Sequence, residues 1–369
     1  MSANGAPLAT VLAQILLPQK KGALLLRWVV GQNRHAACRE WLAYVGDPDA
    51  EVASWPPGRR GVLPLMALAA RDSNLPLRDR FAELLRAAAI HETFRSERWE
   101  ALALEAAKLI EPRCRQALHL SGIASGQVYP RPGIRHHGLC IFAFATGDQC
   151  ATARSALCEH GYTLLPRPVP GSVPGLRLRH RSGFVIFLQF GLLALPGGDR
   201  VLFERAYQTG NNWNGEAIRT TAACYGLLET LGRATYNFQR SNLDWLTDAH
   251  FLSRAMDTTA FGVFWHEADR LGLTRLAGHL IQFLQELDLE SLAFSEPANS
   301  KHDGQRAEST LSFPEALMLW FSQRGPDARH GRRTLLKLAG HPFLWSVIKR
   351  AYLGDPQIRA WIRQNERPH

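Results

Sequence analysis

The sequence predicts an α+β protein, a small mixed β-sheet core flanked by N-terminal and C-terminal helical regions. Three observations carry this. Residues 77–109 are rich in Ala and Leu, with Arg and Glu opposite an apolar stripe of Phe81, Leu84, Leu85, Ala88 and Ala89. Residues 117–203 bring together glycines, prolines and alternating aromatic or β-branched residues, the chemistry of short strands and turns. From residue 217 to 287 the patterning is helical again.

In chain order, residues 7–17, 23–30 and 34–45 are helix-compatible. Trp55-Pro56-Pro57-Gly58 interrupts them, and residues 63–71 resume the pattern before the long run. In the core, residues 118–120 read as a strand entering a glycine turn at Gly122. Residues 139–145 carry no charge and read as a buried strand. Residues 148–161 read as a helix, with Asp148 as its N-cap and Gly161 closing it. Residues 171–178, 183–190 and 201–203 add strands, separated by turn signals such as Pro174-Gly175 and Pro196-Gly197-Gly198. Helices are expected at 217–238, 243–256, 259–271, 274–287, 313–321, 332–338 and 342–352, with a polar linker at 295–309. The expected division is 1–115 helical, 116–210 core and 211–369 helical.

The chain has 369 residues and a net charge of +10, from 43 Lys plus Arg against 33 Asp plus Glu. An Arg-rich surface suits phosphate or carboxylate, so a nucleotide, a nucleic acid or an acidic peptide is an expected partner. The same excess also fits a soluble Arg-rich protein with no such partner. No apolar run is long enough to span a bilayer, and the first residues lack the charged start of a signal peptide. The six cysteines form no CxxC pair and read as reduced, mostly buried thiols of a cytoplasmic protein.

Between Leu118 and Tyr162 the parts follow a recognisable order. Ser121-Gly122 forms a turn, then come Tyr129-Pro130, Arg135, Gly138 before a strand, and Gly161-Tyr162 after a helix. Phe187-Leu188-Gln189-Phe190 follows on a later strand. Val62-Leu63-Pro64-Leu65 and Trp245-Leu246-Thr247-Asp248 flank this core. The order and spacing resemble an uncharacterised bacterial nucleotidyltransferase family, over most of residues 20–290. The resemblance implies a nucleotidyltransferase-like core. It also implies a Lys-Gly turn where Ser121-Gly122 stands, two strand aspartates where Leu139 and Ile141 stand, and a third where Phe187 stands.

Nucleotidyl transfer by two Mg²⁺ ions needs such a carboxylate cluster, because Mg²⁺ prefers hard oxygen ligands. Alternate strand positions share a face, so two aspartates two residues apart converge on one ion. Leu139, Ile141 and Phe187 are apolar and predict a hydrophobic plug instead. The candidate ligand-binding residues are Ser121, Gly122, Ser125, Tyr129 and Arg135, and Glu204 is the candidate substitute carboxylate. For Gly122 an ordinary tight turn stands beside the phosphate-approach reading, and for Arg135 a structural salt bridge or carbonyl clamp stands beside the ligand contact.

His136-His137 reads as a solvated loop pair, and residues 207–214 as a polar turn or cleft wall. The cluster Arg324, Arg329, Arg332, Arg333 and Lys337 reads as a solvated face or, with the C-terminal helices, a surface for a protein partner. Three functions are therefore expected alternatives. One is a degenerate nucleotidyltransferase keeping a cleft for a nucleotide-like or acidic ligand or a protein partner, with no cofactor. Another is an active transferase of a bacterial biosynthetic pathway with displaced catalytic groups, using Mg²⁺ and a nucleoside triphosphate. The third is a helical interaction scaffold.

Overall fold

The computed structural model describes residues 17–288, apart from 115, 121, 166–174, 194–199, 214–218, 238–242 and 272. The chain is α+β, with one seven-stranded mixed sheet between helical layers. The helices expected at 7–17, 313–321, 332–338 and 342–352, the linker at 295–309 and the Arg324–Lys337 cluster lie outside the described residues.

Helix α1 (Lys20–Val30) is buried continuously from Gly22 to Val30, so it runs through the centre of its layer. Helix α2 (Arg34–Val45) starts at Asn33, whose side chain accepts from the Ala36 N–H. Trp28 and Trp41 meet at 5.5 Å between ring centroids, and Trp41 stacks on Phe81 at 6.3 Å. Two short helices, α3 (Pro48–Ala53) and α4 (Pro57–Arg60), surround the Trp55-Pro56 break. The patterning gave neither, because each is too short to show a period, although Asp47 caps α3 from outside. Helix α5 (Leu63–Asp72) follows.

Helix α6 (Asp79–Ile110) has 32 residues, roughly 48 Å at 1.5 Å per residue. Phe81 and Leu85 at its start enter the larger hydrophobic cluster. Trp99, Ala103, Ala106 and Ile110 near its end enter a second cluster on the other side of the sheet.

The strands are β1 (Ala117–Leu120), β2 (Cys140–Phe144), β3 (Tyr162–Leu164), β4 (Gly175–His180), β5 (Val185–Phe190), β6 (Asn211–Asn212) and β7 (Arg219–Thr220). Their spatial order is β3-β4-β5-β2-β1-β7-β6. β2 lies antiparallel to β1 and parallel to β5, and all five of its residues are buried. That double coverage is why residues 139–145 read as an uncharged run rather than an alternating one. The alternation is still present in three dimensions. Leu118, Leu120, Ile141, Ala143 and Phe187 face the larger cluster, while Phe142, Phe144, Ile186 and Leu188 face the smaller one.

Helix α7 (Gly122–Gly126) follows β1, and α8 (Gly147–Cys158) links β2 to the β3–β4 hairpin. The cap of α8 is Thr146, not Asp148. The Thr146 hydroxyl accepts from the Gln149 N–H, and the Gln149 side chain returns to the Thr146 N–H, a complete capping box. Asp148 sits in the first helical turn. Residues 201–203 are not a strand but part of α9 (Arg200–Thr209), which buries Leu202, Phe203 and Ala206 on one helical stripe. The helix expected from residue 217 begins later, as α10 (Ala223–Asn237), because Arg219 and Thr220 pair with Asn211 and Asn212 instead. The sheet thus reaches past the expected core boundary at 210. Helices α11 (Asp244–Arg254), α12 (Thr258–Arg270) and α13 (Thr274–Glu286) complete the described chain, close to expectation.

Candidate functional site

The face of the sheet that carries Ile141 and Phe187 is a packed apolar surface. Ile141 on β2 and Phe187 on β5 are direct partners in the parallel ladder, 3% and 8% exposed. Leu139, just before β2, is half-buried against the same cluster. Ile141 and Phe187 are thus side by side, and Leu139 packs against the same cluster, all three apolar. The Phe187 ring lies over Gly175 of β4, where an added Cβ would come within 2.5 Å of it. Neither this face nor any other group of three or more His, Cys, Asp or Glu among the described residues is arranged to hold a metal ion. The apolar set does not fit Mg²⁺.

The glycine turn is filled as well. Gly122 has φ +24°, and a Cβ there would meet the Trp99 indole at 2.7 Å. Glycine is thus required by a tryptophan packed against the turn. Ser125 in α7 is buried. Ser121 lies outside the described residues. His137 stacks on the Trp99 ring, 4.4 Å between centroids and nearly parallel to it.

Tyr129 and Arg135 belong to a buried knot with the Trp245-Leu246-Thr247-Asp248 segment of α11. The Arg135 guanidinium donates to both Asp248 carboxylate oxygens, from Nε at 2.8 Å and from a terminal nitrogen at 2.6 Å. Its other terminal nitrogen donates to the His136 carbonyl at 3.1 Å. The Tyr129 hydroxyl donates to Asp248 at 2.7 Å and lies 2.8 Å from the Thr247 hydroxyl. Burial pushes the Asp248 carboxyl up, but the adjacent guanidinium outweighs it and holds the group below the ordinary carboxylate range. Burial and the Asp248 charge push the Tyr129 phenol well up, so it stays a neutral donor. The salt bridge and the carbonyl clamp that the sequence left open for Arg135 are both observed.

The loop carrying Arg135 is fastened on its other side to α6. Glu92 is buried and bonded to His136 Nδ1 at 2.9 Å and to Arg95 Nε at 3.2 Å. Arg95 also donates to the His137 carbonyl, and Ser96 to the Arg135 carbonyl. The expectation of a solvated His136-His137 pair is overturned. His137 is 1% exposed and His136 half-buried, because the loop crosses beneath α6 rather than over the surface.

Glu204, the candidate substitute carboxylate, is on α9 and is held by Arg200 one helical turn away at 2.7 Å. The cysteines are unpaired, and all but Cys158 are buried. No helix among the described residues is long and apolar enough to cross a membrane. Compared with models of protein families and with curated proteins, the chain matches none.

The residues that pattern reading passed over are Glu92, Trp99, His119 and Asp248. Asp248 alone had a signal, as the last residue of the Trp-Leu-Thr-Asp segment. Glu92 and Trp99 sit on ordinary helix positions and find partners where α6 meets the loop, while His119 sits on β1 against Cys140 and Phe142 of β2.

The buried imidazoles set a pH response. Burial, with neighbouring positive charge, pushes His119 and His137 down to about 3, and burial pushes His250 down to about 4. They stay neutral in the folded chain while the unfolded chain protonates them below pH ~6.5. The unfolded state then binds more protons, so stability falls as the pH drops from 6.5 towards 3. Asp244 acts in the opposite sense. Burial raises its carboxyl from 3.8 to about 7, so its contribution is lost as the pH rises through 7. Three imidazoles outweigh one carboxyl. Urea unfolding between pH 6.5 and 4.5 is expected to lose at least about 1 kcal/mol per pH unit. A flat profile would contradict the buried, neutral state of these rings.

Proposed function

We propose that this chain is a nucleotidyltransferase-like protein that does not carry out two-metal nucleotidyl transfer and acts by binding an acidic ligand or a protein partner. The observation that carries this reading is the in-register pair Ile141 and Phe187, buried side by side where carboxylates would be needed. Filling of the Gly122 turn by Trp99 supports it, as does the commitment of Tyr129 and Arg135 to Asp248. Glu204 gives little support to an active enzyme with displaced groups, because its carboxylate is paired on an outer helix. Unpaired, mostly buried thiols suit a reducing, cytoplasmic setting.

The test is pyrophosphate release from each of the four common nucleoside triphosphates with Mg²⁺ or Mn²⁺. No turnover above a heat-denatured control is expected. Metal-dependent turnover that survives purification would end this reading.

A further inference from the structure

The outer side of α6 carries apolar groups where water favours polar ones. Its inner side is committed, Phe81 and Trp99 to the two hydrophobic clusters and Glu92 and Ser96 to the Arg135 loop. Opposite them, Ile90 is 53% exposed, and Phe94, at 69%, is the most exposed large apolar side chain among the described residues. One helical turn separates the two, so they adjoin, and exposed Ala87 lengthens the patch.

The exposed carboxylates and cations of the helix stand about this patch in a definite order. Outward from it towards the N-terminus come Arg86, Glu83, Arg80 and Asp79. Towards the C-terminus come Glu97, Arg98, Glu105 and Lys108. The signs run plus, minus, plus, minus in one direction and minus, plus, minus, plus in the other. None of these residues has an ion-pair partner among the described residues, whereas Glu92 and Arg95 on the inner side pair with each other.

A helix with this order is complementary to itself run backwards. Laid antiparallel about a two-fold axis between Ile90 and Phe94, Ile90 of each copy meets Phe94 of the other. The same register sets Arg86 near Glu97, Glu83 near Arg98, Arg80 near Glu105 and Asp79 near Lys108, every pair occurring twice. A parallel pairing would set each charge beside its own like. Exposed ion pairs add little affinity, so they fix orientation and register while the apolar patch supplies the attraction.

We propose that two copies of this chain associate through antiparallel α6 helices, about a two-fold axis between Ile90 and Phe94. The surface is independent of the reading of the Ile141–Phe187 face and would stand if that reading failed.

The mass of the full-length chain is measured by sedimentation equilibrium from about 1 to 200 µM, a range that covers micromolar association. It is expected to rise from 41.2 kDa towards twice that value. Phe94→Arg should weaken association at least about tenfold, with the thermal midpoint of the dilute monomer held because the site is exposed. Arg86→Glu and Glu97→Arg should each weaken it at least about threefold, by setting like charges together. Mixed in equal amounts, these two single variants should associate with each other more tightly than either does with itself. A mass that stays at 41.2 kDa throughout overturns the proposal and leaves the ridge to another segment of the chain or to a different protein. So does a dimer undiminished by Phe94→Arg, or charge variants that show no preference for each other.

Discussion

Arg135→Ala is expected to destabilise the folded chain by about 3–5 kcal/mol, read as a large fall in the urea midpoint with little change in slope. Removing the guanidinium leaves the Asp248 carboxylate 1% exposed, with the Tyr129 hydroxyl and the weaker charge of Arg233 left to face it. Asp248→Ala should cost a similar amount, since it strands the cation instead. The double replacement Arg135→Met with Asp248→Leu should cost far less than the two single losses added together, because no orphaned charge remains. Tyr129→Phe removes one charge-assisted bond and should cost about 1.5–3 kcal/mol. If Arg135→Ala left stability unchanged, the guanidinium would be free for a ligand and its structural role would be refuted.

Ile141→Asp is the second large effect. Placing a carboxylate at that position sets it, nearly fully buried, against Phe187 and the apolar cluster, with the exposed cation Arg177 one strand further on beyond Phe187. The charge cannot be solvated there, so the group will take up a proton or the fold will loosen, at a cost of about 4 kcal/mol or more. Ile141→Val, which keeps the hydrocarbon, should cost only about 0.5–1.5 kcal/mol. Thermal melts with and without Mg²⁺ check both the loss and its cause. The expected result is no recovery on adding the ion. Recovery of the melting temperature by Mg²⁺ would mean that the face still offers the remaining ligands of a metal site.

The α+β class and the long helix were legible because each rests on local periodicity, whereas Phe187 was singled out only through the family resemblance. Alternate residues of β2 share a face whatever lies beyond them, so Leu139 and Ile141 could be placed together before any fold was known. The glycine turn after β1 was legible for the same reason. What could not be read depends on partners distant in the chain. Nothing near His137 announces Trp99, and nothing near Glu92 announces His136. Residues 201–203 were assigned to a strand because Val-Leu-Phe is β-favouring in isolation, and burial of Leu202, Phe203 and Ala206 along one stripe decided for helix.

Helix α6 is a single rod shared by two separate hydrophobic clusters, the larger one holding its first turns and the smaller one its last. Its middle also grips the Arg135–His137 loop through Glu92, Arg95 and Ser96. Prising the layers apart would therefore bend or fray a continuous hydrogen-bonded helix as well as separate two greasy surfaces. A disturbance near Ile110 and one at the Asp248 knot act on the same lever, at different points along its length.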